Sequence, residues 1–294
     1  MLLHGSIVAL VTPMQHDGAI DYSALERLVE FHIQEGTHGI VAVGTTGESA
    51  TLTVSEHLKV IEKVVQTAHG RVPIIAGTGA NSTNEAIELS RRAKSVGADA
   101  GLSVVPYYNK PNQTGLLAHF TAIADTVDLP LVMYNVPGRT VADLHNESVL
   151  KLMEHANIIG LKDATGNLQR GRELLDASQG RLTVLSGDDG TALDLMKLGA
   201  KGDISVTANV APKLMSQMCG AALEGQFEDA EGFDAQLRDL HRMLFVDSNP
   251  IPVKYLVSKM GYTRNVLRLP LTTVSTKLAK QLDEVLDALV DKPV

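Results

Sequence analysis

Eight short apolar runs recur along this chain, with a helix-length segment between most of them: residues 6–10, 39–43, 73–77, 101–105, 130–135, 158–163, 182–187 and 203–206. They are mostly continuous rather than alternating. A strand with one wet face alternates apolar and polar residues. A strand covered on both faces does not, and parallel sheets are covered on both faces by their crossover helices. Eight such units predict an α/β fold, a closed (β/α)8 TIM barrel. An open doubly wound sheet is the second choice, and it is weakened because Gly77-Thr78-Gly79-Ala80-Asn81-Ser82 lacks the third glycine of the dinucleotide fingerprint.

The segments between the runs carry helix signals. Asp21 is placed to cap a helix that sets Leu25, Leu28, Val29 and His32 on one side and stops at Gly36. Thr53-Val54-Ser55-Glu56 and Ser82-Thr83-Asn84-Glu85 match the capping box. Behind the first, Leu58, Ile61, Val64, Val65 and Ala68 keep a helical period. Residues 116–127, 148–155, 168–178 and 191–198 supply further crossovers. From residue 211 the pattern is helical only, over 222–244, 253–260 and 274–289. The chain therefore divides into a catalytic barrel at 1–210 and a helical extension at 211–294 packed on it, as an oligomerisation element or a cap.

Composition narrows the function. A net charge of −8 and a pI of about 5.7 argue against an extended nucleic-acid surface. The single cysteine, Cys219, excludes an internal disulfide and fits a cytoplasmic protein. Residues 1–13 lack the basic and long apolar regions of a signal peptide. No run approaches the roughly 18 apolar residues that span a bilayer, so neither a membrane nor nucleic acid is an expected partner.

Barrel enzymes carry their chemistry at the C-terminal ends of the strands, and that restricts the candidates. Lys162 ends the sixth run. Desolvation disfavours an ammonium there, and an uncharged amine can attack a ketone to give a Schiff base. The alternative is a core salt bridge, with Asp163 as the obvious partner. Gly44-Thr45-Thr46-Gly47-Glu48-Ser49 follows the second run, with hydroxyls and a flexible backbone that could hold a carboxylate, or make an ordinary tight turn. Tyr134 could relay protons to a lysine one strand away or be a core tyrosine; Tyr107 and Tyr108 share the ambiguity. Arg139 follows a Pro-Gly turn and could clamp a second carboxylate. Metal-ligand histidine spacing and a Gly-x-Ser-x-Gly elbow are both absent from the sequence. Asp188 and Asp189 after the seventh run would repel a phosphate, which favours a carboxylic acid as substrate.

Three stretches carry a resemblance: Gly44–Ser49, the run Tyr134-Asn135-Val136-Pro137-Gly138-Arg139-Thr140, and Ile159-Gly160-Leu161-Lys162-Asp163-Ala164-Thr165-Gly166. Together with Leu185-Ser186-Gly187-Asp188-Asp189 and Ile204-Ser205-Val206-Thr207-Ala208-Asn209, they resemble the dihydrodipicolinate synthase family, within the wider group of pyruvate-dependent aldolases and N-acetylneuraminate lyases. The resemblance covers nearly the whole chain. It implies a lyase that condenses pyruvate, held as a Schiff base on Lys162, with aspartate 4-semialdehyde in the diaminopimelate route to lysine, without metal or organic cofactor. It implies that Thr46 holds the pyruvate carboxylate and that Tyr134, Thr45 and Tyr108 relay protons, Tyr108 coming from a neighbouring subunit of a homotetramer built from two tight dimers. Arg139 would bind the semialdehyde carboxylate, and Gly187 and the Ile204 backbone would line the pocket. Feedback inhibition by lysine would use Ser49, Ala50, His57, Asn81, Glu85 and Tyr107; Val54 departs from the histidine of some strongly regulated relatives. Two other readings stay open: an aldolase for a longer keto acid, and a barrel that binds a keto acid without turning it over. Arg139 favours a small second substrate bearing a carboxylate.

Overall fold

A computed structural model describes residues 3–290. Eight parallel strands close a barrel in chain order: β1 (Gly5–Ala9), β2 (Gly39–Ala42), β3 (Ile74–Gly77), β4 (Ala100–Val104), β5 (Leu131–Asn135), β6 (Ile158–Asp163), β7 (Thr183–Ser186) and β8 (Gly202–Ser205). β1 pairs with both β2 and β8. Around it run α1 (Tyr22–Gln34), α2 (Val54–Ala68), α3 (Thr83–Ser95), α4 (Gln113–Thr126), α5 (Pro137–Thr140), α6 (Asn146–Leu152), α7 (Leu168–Ser178), α8 (Ala192–Lys197) and α9 (Pro212–Leu223), followed by α10 (Phe227–Met243), α11 (Ile251–Lys259) and α12 (Thr276–Val290). The TIM barrel and its C-terminal helices are the fold that the periodic runs predict.

The continuous apolar character of the strands has a direct cause. Outward residues such as Val8, Ile40, Met133, Leu161 and Val184 pack under the helices in one core layer. Inward residues such as Ile7, Val41, Ile75, Leu102, Val132 and Leu185 fill the barrel. Both parities of each strand are out of water, so both are mainly apolar, and buried polar residues such as Asn135, Lys162 and Asp163 stand at the strand ends.

Local signals explain several helix starts. Asp21 accepts the Ala24 N–H at 2.9 Å and starts α1. Thr53 and Glu56 form both halves of a capping box on α2. Ser82 caps α3 through the Glu85 N–H, without the return bond from Glu85. The buried stripe of α2 is His57, Val60, Ile61, Val64 and Ala68, with Leu58 and Val65 at its edges rather than its centre.

The helix expected over 222–244 begins only at Phe227, because Ala222 and Leu223 end the preceding helix. Gly225 sits at φ +77 between α9 and α10, its N–H bonded to Ala222 O and that of Gln226 to Ala221 O. This left-handed glycine closes the last turn of α9 onto its own carbonyls and stops it. α9 packs against β1 and α8, α10 against α9, and α12 against α10 and α11. Among the described residues no helix is long and apolar enough to cross a membrane.

Candidate active site

Strands β5 and β6 set Tyr134 beside Lys162 in register. Lys162 Nζ lies 4.4 Å from the centroid of the Tyr134 ring, and both residues are buried. The neighbouring Asp163 points to the opposite face of the strand, as alternation requires. There it accepts Arg170 Nε at 2.8 Å and the Thr165 N–H at 2.8 Å. The core salt bridge considered for Lys162 and Asp163 is therefore not formed. Lys162 Nζ has no hydrogen-bond acceptor and no ion-pair partner among the described residues. Gly187 makes room for it: a Cβ there would stand 2.6 Å from Lys162 Cε.

The amine opens into a cavity of about 190 Å³ at the C-terminal end of the barrel. Thr45, Thr46, Tyr134, Arg139, Lys162 and Gly187, each singled out from sequence, share its wall. Asp188, placed after the seventh run by the sequence, lines it too, as do Val136 and Val206 from the quoted motifs, whereas Phe245 and Asn249 were not foreseen. Asp188 is braced by the Thr191 hydroxyl, which donates to it at 2.6 Å.

The loop from β2 to α2 is bent sharply to bring its threonines in. Val43 has φ +52 and Glu48 φ +59. A β-branched residue in the left-handed region is strained by about 1–3 kcal/mol, and such strain gathers at functional sites. The Glu48 and Ser49 N–H groups close back onto the carbonyls of Thr45 and Gly44. Those of Thr45, Thr46 and Gly47 donate to no acceptor among the described residues, which leaves three donors in the turn uncommitted.

The C-terminal helices hold this loop from outside. Glu48 turns away from the cavity and pairs with Lys254 of α11, both side chains fully buried. It also accepts the Arg268 N–H at 3.2 Å. The Arg268 guanidinium in turn clamps Glu56 in bidentate fashion at 2.6 and 2.9 Å and bonds the Thr51 carbonyl at 2.9 Å. Burial pushes the Lys254 ammonium below its ordinary range, and the Glu48 charge opposes that push. Asn249 donates from Nδ2 to Thr46 Oγ1 at 3.0 Å. The backbone carbonyl of Asn249 accepts from Arg139 Nη2 at 3.2 Å.

A sequence model described as the Dihydrodipicolinate synthetase family matches residues 2–289. The chain belongs to this family. A relative from Acidithiobacillus ferrooxidans, 4-hydroxy-tetrahydrodipicolinate synthase, is 58% identical over 285 residues, which is 97% of this chain and 98% of that one. The chloride-inhibited dihydrodipicolinate synthase from Acinetobacter baumannii, solved in complex with pyruvate, has a TM-score of 0.97 at 52% identity, covering 98% of this chain and 99% of its own. The Cyanidioschyzon merolae enzyme, solved with lysine bound, has a TM-score of 0.94 at 38% identity and 98% coverage of each chain.

The other residues brought forward by likeness to the dihydrodipicolinate synthetase family fall outside the cavity. Tyr108 is 88% exposed on the loop after β4, with φ +75. Ile204 packs inside the barrel with Leu185 and Ile7. Two residues further on, past the end of β8, Val206 reaches the cavity wall instead. A second cleft of about 380 Å³ adjoins the first, and Ser49, Ala50 and Tyr107 line it. His57, Asn81 and Glu85 do not. His57 is buried and donates from Nε2 to the Gly77 carbonyl at 2.7 Å; burial pushes its imidazole below the ordinary range, and the bond to Gly77 opposes that push. Asn81 donates to the Tyr107 carbonyl at 3.3 Å, and Glu85 is exposed in the first turn of α3.

Proposed function

We propose that this chain forms 4-hydroxy-tetrahydrodipicolinate from pyruvate and L-aspartate 4-semialdehyde, a step of the diaminopimelate route to lysine. The observation that carries this reading is the buried, unpaired Lys162 amine at the floor of a cavity ringed by hydroxyls and one arginine. The amine adds to C2 of pyruvate and water leaves, giving an imine. The electron-poor imine acidifies the methyl group, which loses a proton to become an enamine. The enamine carbon attacks the aldehyde. The amino group of the semialdehyde then displaces Lys162 at C2, closing the ring and freeing the enzyme.

Each step moves a proton. Tyr134, beside the nitrogen, and Thr45, on the same wall, are the proposed relay. Tyr108 of a second copy completes it in this reading, and its outward exposure in one chain supports that assignment. The proposed assembly is a homotetramer of two tight dimers. Thr46 and the free N–H groups of its loop hold the pyruvate carboxylate, and Arg139 binds that of the semialdehyde. Gly187 and the Ile204 backbone complete the pocket. No metal or organic cofactor is called on. Residues 1–210 are taken as the catalytic barrel and 211–294 as the extension packed on it, in a cytoplasmic enzyme.

Borohydride reduction in the presence of pyruvate, followed by peptide mass mapping, tests the chemistry. A pyruvyl adduct on Lys162 is expected. An adduct elsewhere, or none, defeats the reading. Feedback inhibition by lysine is proposed at the second cleft, with Ser49, Ala50 and Tyr107 in its wall and His57, Asn81 and Glu85 beyond it. Activity undiminished at high lysine would remove this part.

A further inference from the structure

We infer that Asn249 is a positioning residue for the pyruvate carboxylate: its side-chain amide sets the direction in which the Thr46 hydroxyl donates. The inference rests on the pyruvate reading above. Asn249 lies between α10 and α11, 6% exposed, in the cavity wall. Its Nδ2 donates to Thr46 Oγ1 at 3.0 Å, across 203 residues of sequence. Its Oδ1 is buried without a partner among the described residues. The bond to Thr46 is thus the one hydrogen bond this amide makes there. A buried acceptor left unpaired is unfavourable, so packing alone does not call for an amide at this position.

A hydroxyl has one proton and two lone pairs. The Asn249 N–H takes up a lone pair of Thr46, and Thr46 Oγ1 makes no other hydrogen bond among the described residues. Its proton is left free to point at an acceptor in the cavity. A carboxylate needs donors, and Thr46 is delivered as one. The same residue holds Arg139 through its backbone carbonyl, so Asn249 stands between the two groups assigned to the two substrate carboxylates. An aspartate there would reverse the arrangement. It would accept the Thr46 proton and set a negative charge beside the substrate anion.

The test uses the full chain, with steady-state kinetics in both substrates and borohydride trapping across pyruvate concentrations. Asn249→Asp should raise the pyruvate KM by about tenfold or more and raise by the same factor the pyruvate needed to label Lys162. The kcat should change by less than about threefold. Asn249→Ala should move pyruvate KM the same way by less. In the Thr46→Val background, Asn249→Ala should add nothing to the pyruvate KM. An equal penalty with and without Thr46→Val would overturn the inference, as would an unchanged pyruvate KM in Asn249→Asp. Thermal unfolding of each variant separates loss of fold, and if Asn249→Asp does not fold, the cycle of Asn249→Ala with Thr46→Val decides. If the unaltered chain gives no pyruvyl adduct, it is the pyruvate reading that has failed, and this inference falls with it.

Discussion

Lys162 and Lys254 are both buried, and their surroundings give them opposite fates. Lys254 sits against the Glu48 carboxylate with neither side chain reaching water. Lys162 faces a tyrosine ring and a cavity, with no carboxylate in ion-pair range among the described residues. An aromatic face attracts a cation only weakly beside a formal negative charge. Burial against an anion makes Lys254 a strut between two elements; burial beside a ring at a cavity wall leaves Lys162 with no such partner among the described residues. One loop serves both: Glu48, which pairs with Lys254, belongs to the turn whose Thr45 and Thr46 line the cavity of Lys162.

Replacement of each lysine should separate these roles. Lys162→Ala should lower kcat by roughly ten-thousandfold and abolish the borohydride adduct, with little change in the unfolding midpoint. Lys254→Met should do the converse, costing about 3–5 kcal/mol because Glu48 is left buried and unpaired, while the adduct on Lys162 persists. Urea unfolding and adduct mapping on the same two samples would break the contrast if both variants lost the same property. Adding Glu48→Gln to Lys254→Met should restore part of the lost stability.

Smaller changes sharpen it. Tyr134→Phe keeps the ring and removes the hydroxyl, so kcat should fall about a hundredfold with pyruvate labelling of Lys162 slowed but still detectable. Arg139→Ala should raise the semialdehyde KM about tenfold to a hundredfold and leave pyruvate trapping intact. The least effect lies at the clamp behind Glu48. Hydrogen bonding from Arg268 chiefly holds the Glu56 carboxyl down to about 2, against an ordinary 4.5. A depressed carboxyl stabilises the fold above its unfolded value and loses that contribution as pH falls toward the folded one. Glu56→Gln should therefore cost about 1 kcal/mol above pH 4.5, and the gap to the unaltered chain should close between pH 4.5 and 2. Stability curves against pH measure it.

What was legible in the sequence was local. The strand runs, the Asp21 and Thr53 caps and the extent of α7 follow from signals within one turn or one strand. The position of Lys162 at a strand end is equally local. The division between α9 and α10 could have been read from Gly225, whose role a helical period conceals. Contacts at long range were not legible. Asn249 meets Thr46 across 203 residues and Lys254 meets Glu48 across 206. Neither pair leaves a spacing or a period to detect, because closure of the barrel and the return of the C-terminal helices bring them together. Phe245 and Asn249 were missed in the cavity wall for the same reason.

The ties from residues 249, 254 and 268 back to the turn after β2 also have a meaning in time. A polypeptide leaves the ribosome from its N-terminus, and its domains fold as they emerge. Here the eight strands are synthesised before any of those three ties exists. A nascent chain could close its barrel and still lack the grip that sets Thr46, so competence for turnover would arrive only near the close of translation.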